Sequence, residues 1–375
     1  MISAAWLTGT ALLIGSLCVV LATVTALWRA VQDGRRRRRA RLLAPVRPLV
    51  LRLAAGGDED GDAVRTLTGL DRRTWASVEP LVVKMLGKIR GEARGELVGL
   101  LQRHGAGARA RVNLSSRSMT ARATAAETLG VLGEMSAAEP VRALLTDPSP
   151  DVRQVAARAL GYTGDPSVAD DLLDALGSVP AQTIAQTLLN IGSTTAPTLI
   201  SALNDERDSV RSVAVEVLGL FQFVGAVKPL GLMLPVEPSL QVQLRIATAL
   251  GRLGHPGALG PLTAALAPRH PAALRASAAA ALGQLGASRA VTPLAGLLAD
   301  PAHAVASAAA AALTRLGPAG VSALADMVAA DPPPGGARIL IHEGGRHRAV
   351  PPGQAGAHAA AALDTMPKER GKVRA

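Results

Sequence analysis

Chemistry needs particular side chains held close together, and this chain offers few of them. Its seven histidines are His104, His255, His270, His303, His342, His347 and His358. None forms His-x-x-x-His or His-Glu-x-x-His, the helical spacings that aim two imidazoles at one metal. His342, Glu343 and His347 come nearest to a ligand set. They stand in a Gly- and Arg-rich tail with nothing rigid to orient them. A single cysteine, Cys18, excludes a disulfide framework and a Cys-based zinc site. Phosphate-binding Gly-x-x-x-x-Gly-Lys-Ser/Thr, dinucleotide-binding Gly-x-Gly-x-x-Gly and the nucleophile elbow Gly-x-Ser-x-Gly are all absent. The acidic trio Asp170, Asp171 and Asp174 opens a helix, where the helix dipole favours negative charge. The expectation is a protein with no catalytic residue, no cofactor and no metal.

The side chains that do recur at fixed spacing are arginines: Arg122, Arg153, Arg211 and Arg275. Each stands seven residues before a leucine of a repeated Leu-Gly-x-Leu-Gly string. The anchor leucines are Leu129, Leu160, Leu188, Leu218, Leu250, Leu282 and Leu313, spaced 31, 28, 30, 32, 32 and 31 apart. Four positions earlier stand Ala125, Ala156, Ile184, Ala214, Ile246, Ala278 and Ala309. One position later stand Gly130, Gly161, Leu189, Gly219, Gly251, Gly283 and Thr314. Four later stand Gly133, Gly164, Gly192, Gln222, Gly254, Gly286 and Gly317.

Each copy reads as two helices. The first carries apolar residues at helical spacing, as in Val152, Val155, Ala156, Ala159 and Leu160. The glycine after the anchor is expected to end or tighten it. A second apolar stretch follows, such as 168–176 or 197–203, and then a polar turn such as 147–150. Neither helix can bury its apolar face alone, so neighbours must stack: an all-α solenoid over 112–331. The composition agrees, since 49% of residues are apolar but only 2% aromatic. An aliphatic core suits helices and disfavours an aromatic-rich β-sandwich.

The string 152–161 (VRQVAARALG) and its variant 210–219 (VRSVAVEVLG) resemble the HEAT-like repeats of the phycobilisome-lyase type. The resemblance implies paired helices, and it implies contact between a turn Asp and the helix Arg. Asp147 with Arg153 and Asp205 with Arg211 keep that pair, whereas Gln243 and Arg269 depart from it. The repeat arginines are therefore expected to brace the repeats. Di-iron hydroxylases on similar repeats carry His-Glu dipeptides on several helices; here the one His-Glu is His342-Glu343, outside the repeats. A lyase- or hydroxylase-type enzyme on this scaffold is the alternative class, and it would need a cofactor for which no pocket residues stand out.

Residues 1–28 carry no charge, and 4–28 is an apolar run long enough to span a bilayer. Trp6 and Trp28 bracket it as interfacial anchors do. Arg35, Arg36, Arg37, Arg38 and Arg39 follow at once, so the positive-inside rule places the N-terminus outside and the solenoid in the cytoplasm. A cleaved signal peptide would need its basic cluster on the other side and a shorter core. The Ala, Gly and Arg bias suggests a bacterial plasma membrane.

Net charge is +11, yet residues 53–331 hold 24 basic and 25 acidic groups. The surplus lies at the two ends, where anionic lipid headgroups account for the first of them. A membrane-tethered nucleic-acid binder is the second alternative, and a neutral body with four aromatics speaks against it. The expected layout is an anchor (1–28), a basic juxtamembrane segment (29–56), a helical cap or degenerate repeat (57–111), the solenoid (112–331) and a mostly disordered Pro/Gly/Arg-rich tail (332–375). A short helix is expected near 357–366. The function expected is that of a scaffold docking a protein partner through exposed residues. The candidates lie around Phe221, Phe223, Met233 and Leu234.

Overall fold

A computed structural model describes residues 21, 23–30, 41, 43–58, 60–87, 89, 91–133, 135–330 and 353–366. Among the described residues there are helices and one isolated bridge, Leu176 to Val179, but no strand. Most of the expected membrane span, including Trp6, lies outside the described residues. So do the arginines 35–39, the His342–Glu343–His347 group and most of the expected disordered tail. Residues 23–30 are helical, and among the described residues no helix is long and apolar enough to cross a membrane.

The chain divides into two compact bodies, Met1–Glu134 and Met135–Ala375. The first holds α1 (Arg47–Ala54), α2 (Asp62–Thr68), α3 (Arg72–Leu86), α4 (Glu92–Arg103), α5 (Ala106–Asn113) and α6 (Met119–Leu132). Their shared core includes Val46, Val50, Leu53, Leu67, Trp75, Leu97, Leu100, Val131 and Leu132. The boundaries expected at 56 and 111 fall inside this core: the apolar face of α1 and the end of α6 pack with the helices between them. Helix α2 was not expected from the sequence. Asp58 starts it, accepting from the Ala63 and Val64 amides at 2.9 and 3.0 Å. Those bonds satisfy two of the amides that a helix start leaves unpaired.

The second body is built from helix pairs. Its first-layer helices are α8 (Pro150–Thr163), α10 (Ala181–Ile191), α12 (Asp208–Leu220), α14 (Leu240–Leu253), α16 (Ala272–Leu285) and α18 (His303–Arg315). Each packs on the next. The second layer is α7 (Ala138–Arg142), α9 (Ala169–Asp174), α11 (Ala196–Ala202), α13 (Val227–Met233), α15 (Leu259–Ala264), α17 (Val291–Gly296) and α19 (Pro318–Ala330). A last helix, α20 (Gln354–Asp364), lies against α18 and α19. It coincides with the helix expected near 357–366.

The two glycine columns have different tasks. The glycine right after the anchor does not end its helix, contrary to expectation; it lies inside it. A Cβ on Gly219 would stand 2.8 Å from the Ala249 Cβ, and one on Gly283 would stand 2.7 Å from the Ala312 Cβ. These glycines let adjacent first-layer helices approach more closely than any side chain allows. The helix stop is the column three residues further on. Gly133, Gly164, Gly254 and Gly286 have φ between 61 and 72, the left-handed cap that only glycine adopts freely. Gln222 occupies that column in the fourth copy and still takes φ 52.

Candidate functional site

The arginine column carries the side chains that could have formed a ligand site. Arg122 donates to the Ser116 carbonyl at 2.9 Å, and Arg153 to the Asp147 carbonyl at 2.8 Å. Arg211 donates to the carbonyls of Asp205 and Glu206 at 2.9 and 2.8 Å. Arg275 donates to the His270 carbonyl at 2.7 Å. Even Gln243, where arginine is missing, reaches the Glu237 carbonyl at 2.8 Å. Each side chain thus closes the turn before its own helix.

Column arginines also reach forward into the next copy: Arg153 donates to the Ser178 carbonyl at 3.3 Å. Arg211 grips Glu237 through two bonds of 2.9 and 2.7 Å. Arg275 grips Asp300 through two of 3.1 and 2.8 Å. Each carboxylate in turn accepts a backbone amide of its own turn, Ser239 and Ala302, both at 2.9 Å. The Asp–Arg contact expected within one turn therefore runs differently. Arg153 meets the Asp147 carbonyl, and the bidentate partner of a column arginine is the acid of the following turn. Asp205 follows Ala181 in the arginine column, and its carboxylate is taken by Arg207 at 3.0 and 2.9 Å.

The electrostatics follow from this. Burial opposes ionisation of Glu237, but Arg211 and the Ser239 amide outweigh it and hold the carboxyl below its ordinary pKa. Asp300 shows the same balance with Arg275 and the Ala302 amide. The Arg207 bonds, against a smaller burial cost, bring Asp205 down to about 2. Arginines so engaged brace the stack.

A different feature stands out on α13. Ala226, Val227, Leu230 and Leu234 are buried and fasten the helix to the core. Lys228 and Leu232, at i and i+4 on α13, are exposed, as are Val224 in the 3-10 turn before the helix and Val236 in the turn after it. Leu232 is 67% and Val236 76% exposed. A groove of about 600 Å³ runs along one side, lined by Ile200, Leu203, Pro229, Met233 and Val236 among others. A second, of about 470 Å³, runs along the other, lined by Val224, Gly225, Gly231, His255, Gly257 and Pro261. Lys228 and Leu232 border both. The candidates expected here were Phe221, Phe223, Met233 and Leu234. Leu234 is buried, and the other three are half-buried. Their neighbours on the ridge are what reaches solvent.

Family comparison matches residues 108–192 and 196–271 to HEAT repeats, and residues 274–300 to the PBS lyase HEAT-like repeat. The chain carries HEAT-like repeats over these residues. No curated protein matches it. Among solved structures it is similar to human deoxyhypusine hydroxylase, at 20% identity over 69% of this chain and 96% of that one, with a TM-score of 0.31. It is also similar to Kap121p, at 14% identity over 84% of this chain and 40% of that one, with a TM-score of 0.48. An engineered protein matches at 16% identity over 85% and 98%, with a TM-score of 0.34.

Within the HEAT-like repeats no group of three or more His, Cys, Asp or Glu side chains could hold a metal, among the described residues. His104 stacks on Trp75, with ring centroids 3.8 Å apart, and His303 meets His358 edge to face at 4.6 Å. Trp28, expected at the membrane interface, is exposed on the helical segment 23–30 together with Val24 and Leu27. The sequence signal that could have found the α13 ridge is the run Val224, Leu232, Val236 at four-residue multiples, interrupted only by Lys228.

Proposed function

We propose that this HEAT-like repeat protein is a non-catalytic scaffold, tethered to a membrane by its N-terminal helix, whose repeats dock a partner protein. The reading rests on where apolar surface is left uncovered. Leu220, Val224, Leu232, Val236 and Leu240 are exposed within about one repeat length. Among the described residues of the second body, Tyr162 is the only other large apolar side chain so exposed. Contiguous exposed apolar surface on a soluble face marks a contact site. The uncharged run 4–28, the arginines after it and the exposed Val24, Leu27 and Trp28 support the tether. By the same charge asymmetry the solenoid faces the cytoplasm of a bacterial cell, with anionic headgroups against the arginine cluster.

The test is crosslinking of the full chain in intact cells, followed by an alkaline carbonate wash of the membranes. The expected result is a chain that stays with the membrane pellet and carries one protein partner in fixed ratio. Release by the wash removes the tether. A bound chromophore or metal in the purified chain replaces the scaffold with an enzyme, and salt-sensitive retention of DNA replaces it with a nucleic-acid binder.

A further inference from the structure

We propose that the α13 ridge and its two flanking grooves form a docking site for an amphipathic α-helix of the partner, one that carries a carboxylate among its apolar residues. The proposal rests on the scaffold reading and narrows it to one place and one chemistry. The first observation is shape. Lys228 and Leu232 make an i, i+4 ridge on α13, with Val224 and Val236 exposed in the turns at its two ends and a groove on each side. Two helices pack by laying such a ridge into the groove between the ridges of the other. The floor of the smaller groove is lowered by glycines: a Cβ at Gly231 would stand 2.9 Å from Pro261, so α13 and α15 come close there.

The second observation is charge. Lys228 stands in the middle of the ridge, borders both grooves, and among the described residues has no carboxylate partner. The other cation of the larger groove, Arg211, is held by Glu237. An apolar partner face with one acid at its centre would complete Lys228 and leave no charge buried alone. A lipid surface is a poorer fit. Lipid contact calls for a basic cluster, and among the residues lining the two grooves Lys228 is the one lysine or arginine without a carboxylate partner.

The experiment places a photoreactive residue on the ridge of the full chain, Leu232→p-benzoylphenylalanine, and irradiates intact cells. A second chain carries the same probe at Thr248, on the first-layer face. The expected result is one adduct from position 232 whose captured peptide has apolar residues at i and i+4 around a Glu or Asp. Adding Lys228→Glu should lower its yield about tenfold, the size of one reversed ion-pair contact, while Lys228→Arg keeps it within about twofold. Three results overturn the docking site: adducts only with lipid or with another copy of this chain, yields indifferent to Lys228→Glu, or no adduct at 232. A protein adduct at 248 without one at 232 overturns this site and leaves the scaffold reading standing. Adducts at neither position, with none from general crosslinking, end both.

Discussion

Both bodies of this chain bury large leucines, but they differ in what meets where helices touch. The first is packed with large side chains: Trp75, Leu53, Leu67, Leu97, Leu100 and Leu101 are all fully buried. The second brings its helices so close that the contact positions hold glycine and alanine, Gly219 on Ala249, Gly251 on Ala281 and Gly283 on Ala312. Burial of a large side chain stabilises through area removed from water. Close backbone approach stabilises through many short-range contacts between small groups, at positions where no atom can be added. A core of the first kind is sensitive to subtraction, one of the second kind to addition.

That contrast has a direct test. Trp75→Ala should cost about 3–5 kcal/mol, the range for deleting a buried aromatic. Trp75→Phe should cost much less, because it keeps most of the ring and removes an indole N–H that has no acceptor among the described residues. In the second body the larger residue is the damaging one. Gly283→Ala gains about 1 kcal/mol of helix propensity. It also forces a methyl to 2.7 Å from Ala312, and overpacking of this kind costs about 1–3 kcal/mol. A net loss is expected, read as a lower urea midpoint. A gain would mean that the repeats separate more easily than their packing implies.

The seams of the second body also have a polar component. The Glu237 side chain is 2% exposed, with Arg211 as its partner. Its pKa is held below the ordinary value, so the unfolded chain takes up the proton first as pH falls. The stability from this group is complete above the ordinary carboxylate range. It is lost as pH drops through that range into the depressed one, and Asp300 adds in the same direction. Glu237→Gln keeps the shape and removes the charge. It should cost about 2 kcal/mol at neutral pH and make the urea midpoint fall less steeply between about pH 5 and 3. An unchanged slope would assign acid sensitivity to other carboxylates.

Much of this was readable in advance, and the failures have physical causes. The anchor leucines and the small residues four positions earlier are buried as their period implies: Leu160, Leu218, Leu250 and Leu282 are fully enclosed. The glycine after each anchor was misread because a glycine column looks the same whether it stops a helix or admits a neighbour. The deciding signal is the residue before the anchor. Ala159, Thr187, Val217, Ala249, Ala281 and Ala312 are all buried, and Thr187, Ala249, Ala281 and Ala312 receive the glycine of the preceding copy. The arginine partners were sought six residues away, within a turn. Arg211 and Arg275 instead pair 26 and 25 residues on, a register visible only once the copies are stacked. The docking ridge was half legible: apolar residues near Phe221 and Met233 were noticed, but which face they occupy depends on where Leu230 and Leu234 are buried.

The fourth repeat carries the ridge and also breaks the glycine rule. Gln222 holds φ 52 at a helix stop where the other six copies have glycine with positive φ. A side chain in the left-handed region costs about 1–2 kcal/mol relative to the right-handed one. Glycine removes that strain, but its freer unfolded chain gives back about 0.4–1 kcal/mol. Gln222→Gly should therefore stabilise the second body by about 0.5–1 kcal/mol, seen as a small rise in its urea midpoint. The same variant separates two explanations for the irregular turn. If photocrosslinking from Leu232 is unchanged in the stabilised chain, the strain is incidental to docking. If the yield falls while stability rises, the strained turn sets the position of Val224, two residues on, at the end of the ridge. Strain would then belong to the contact surface in the way that strained backbone elsewhere belongs to binding sites.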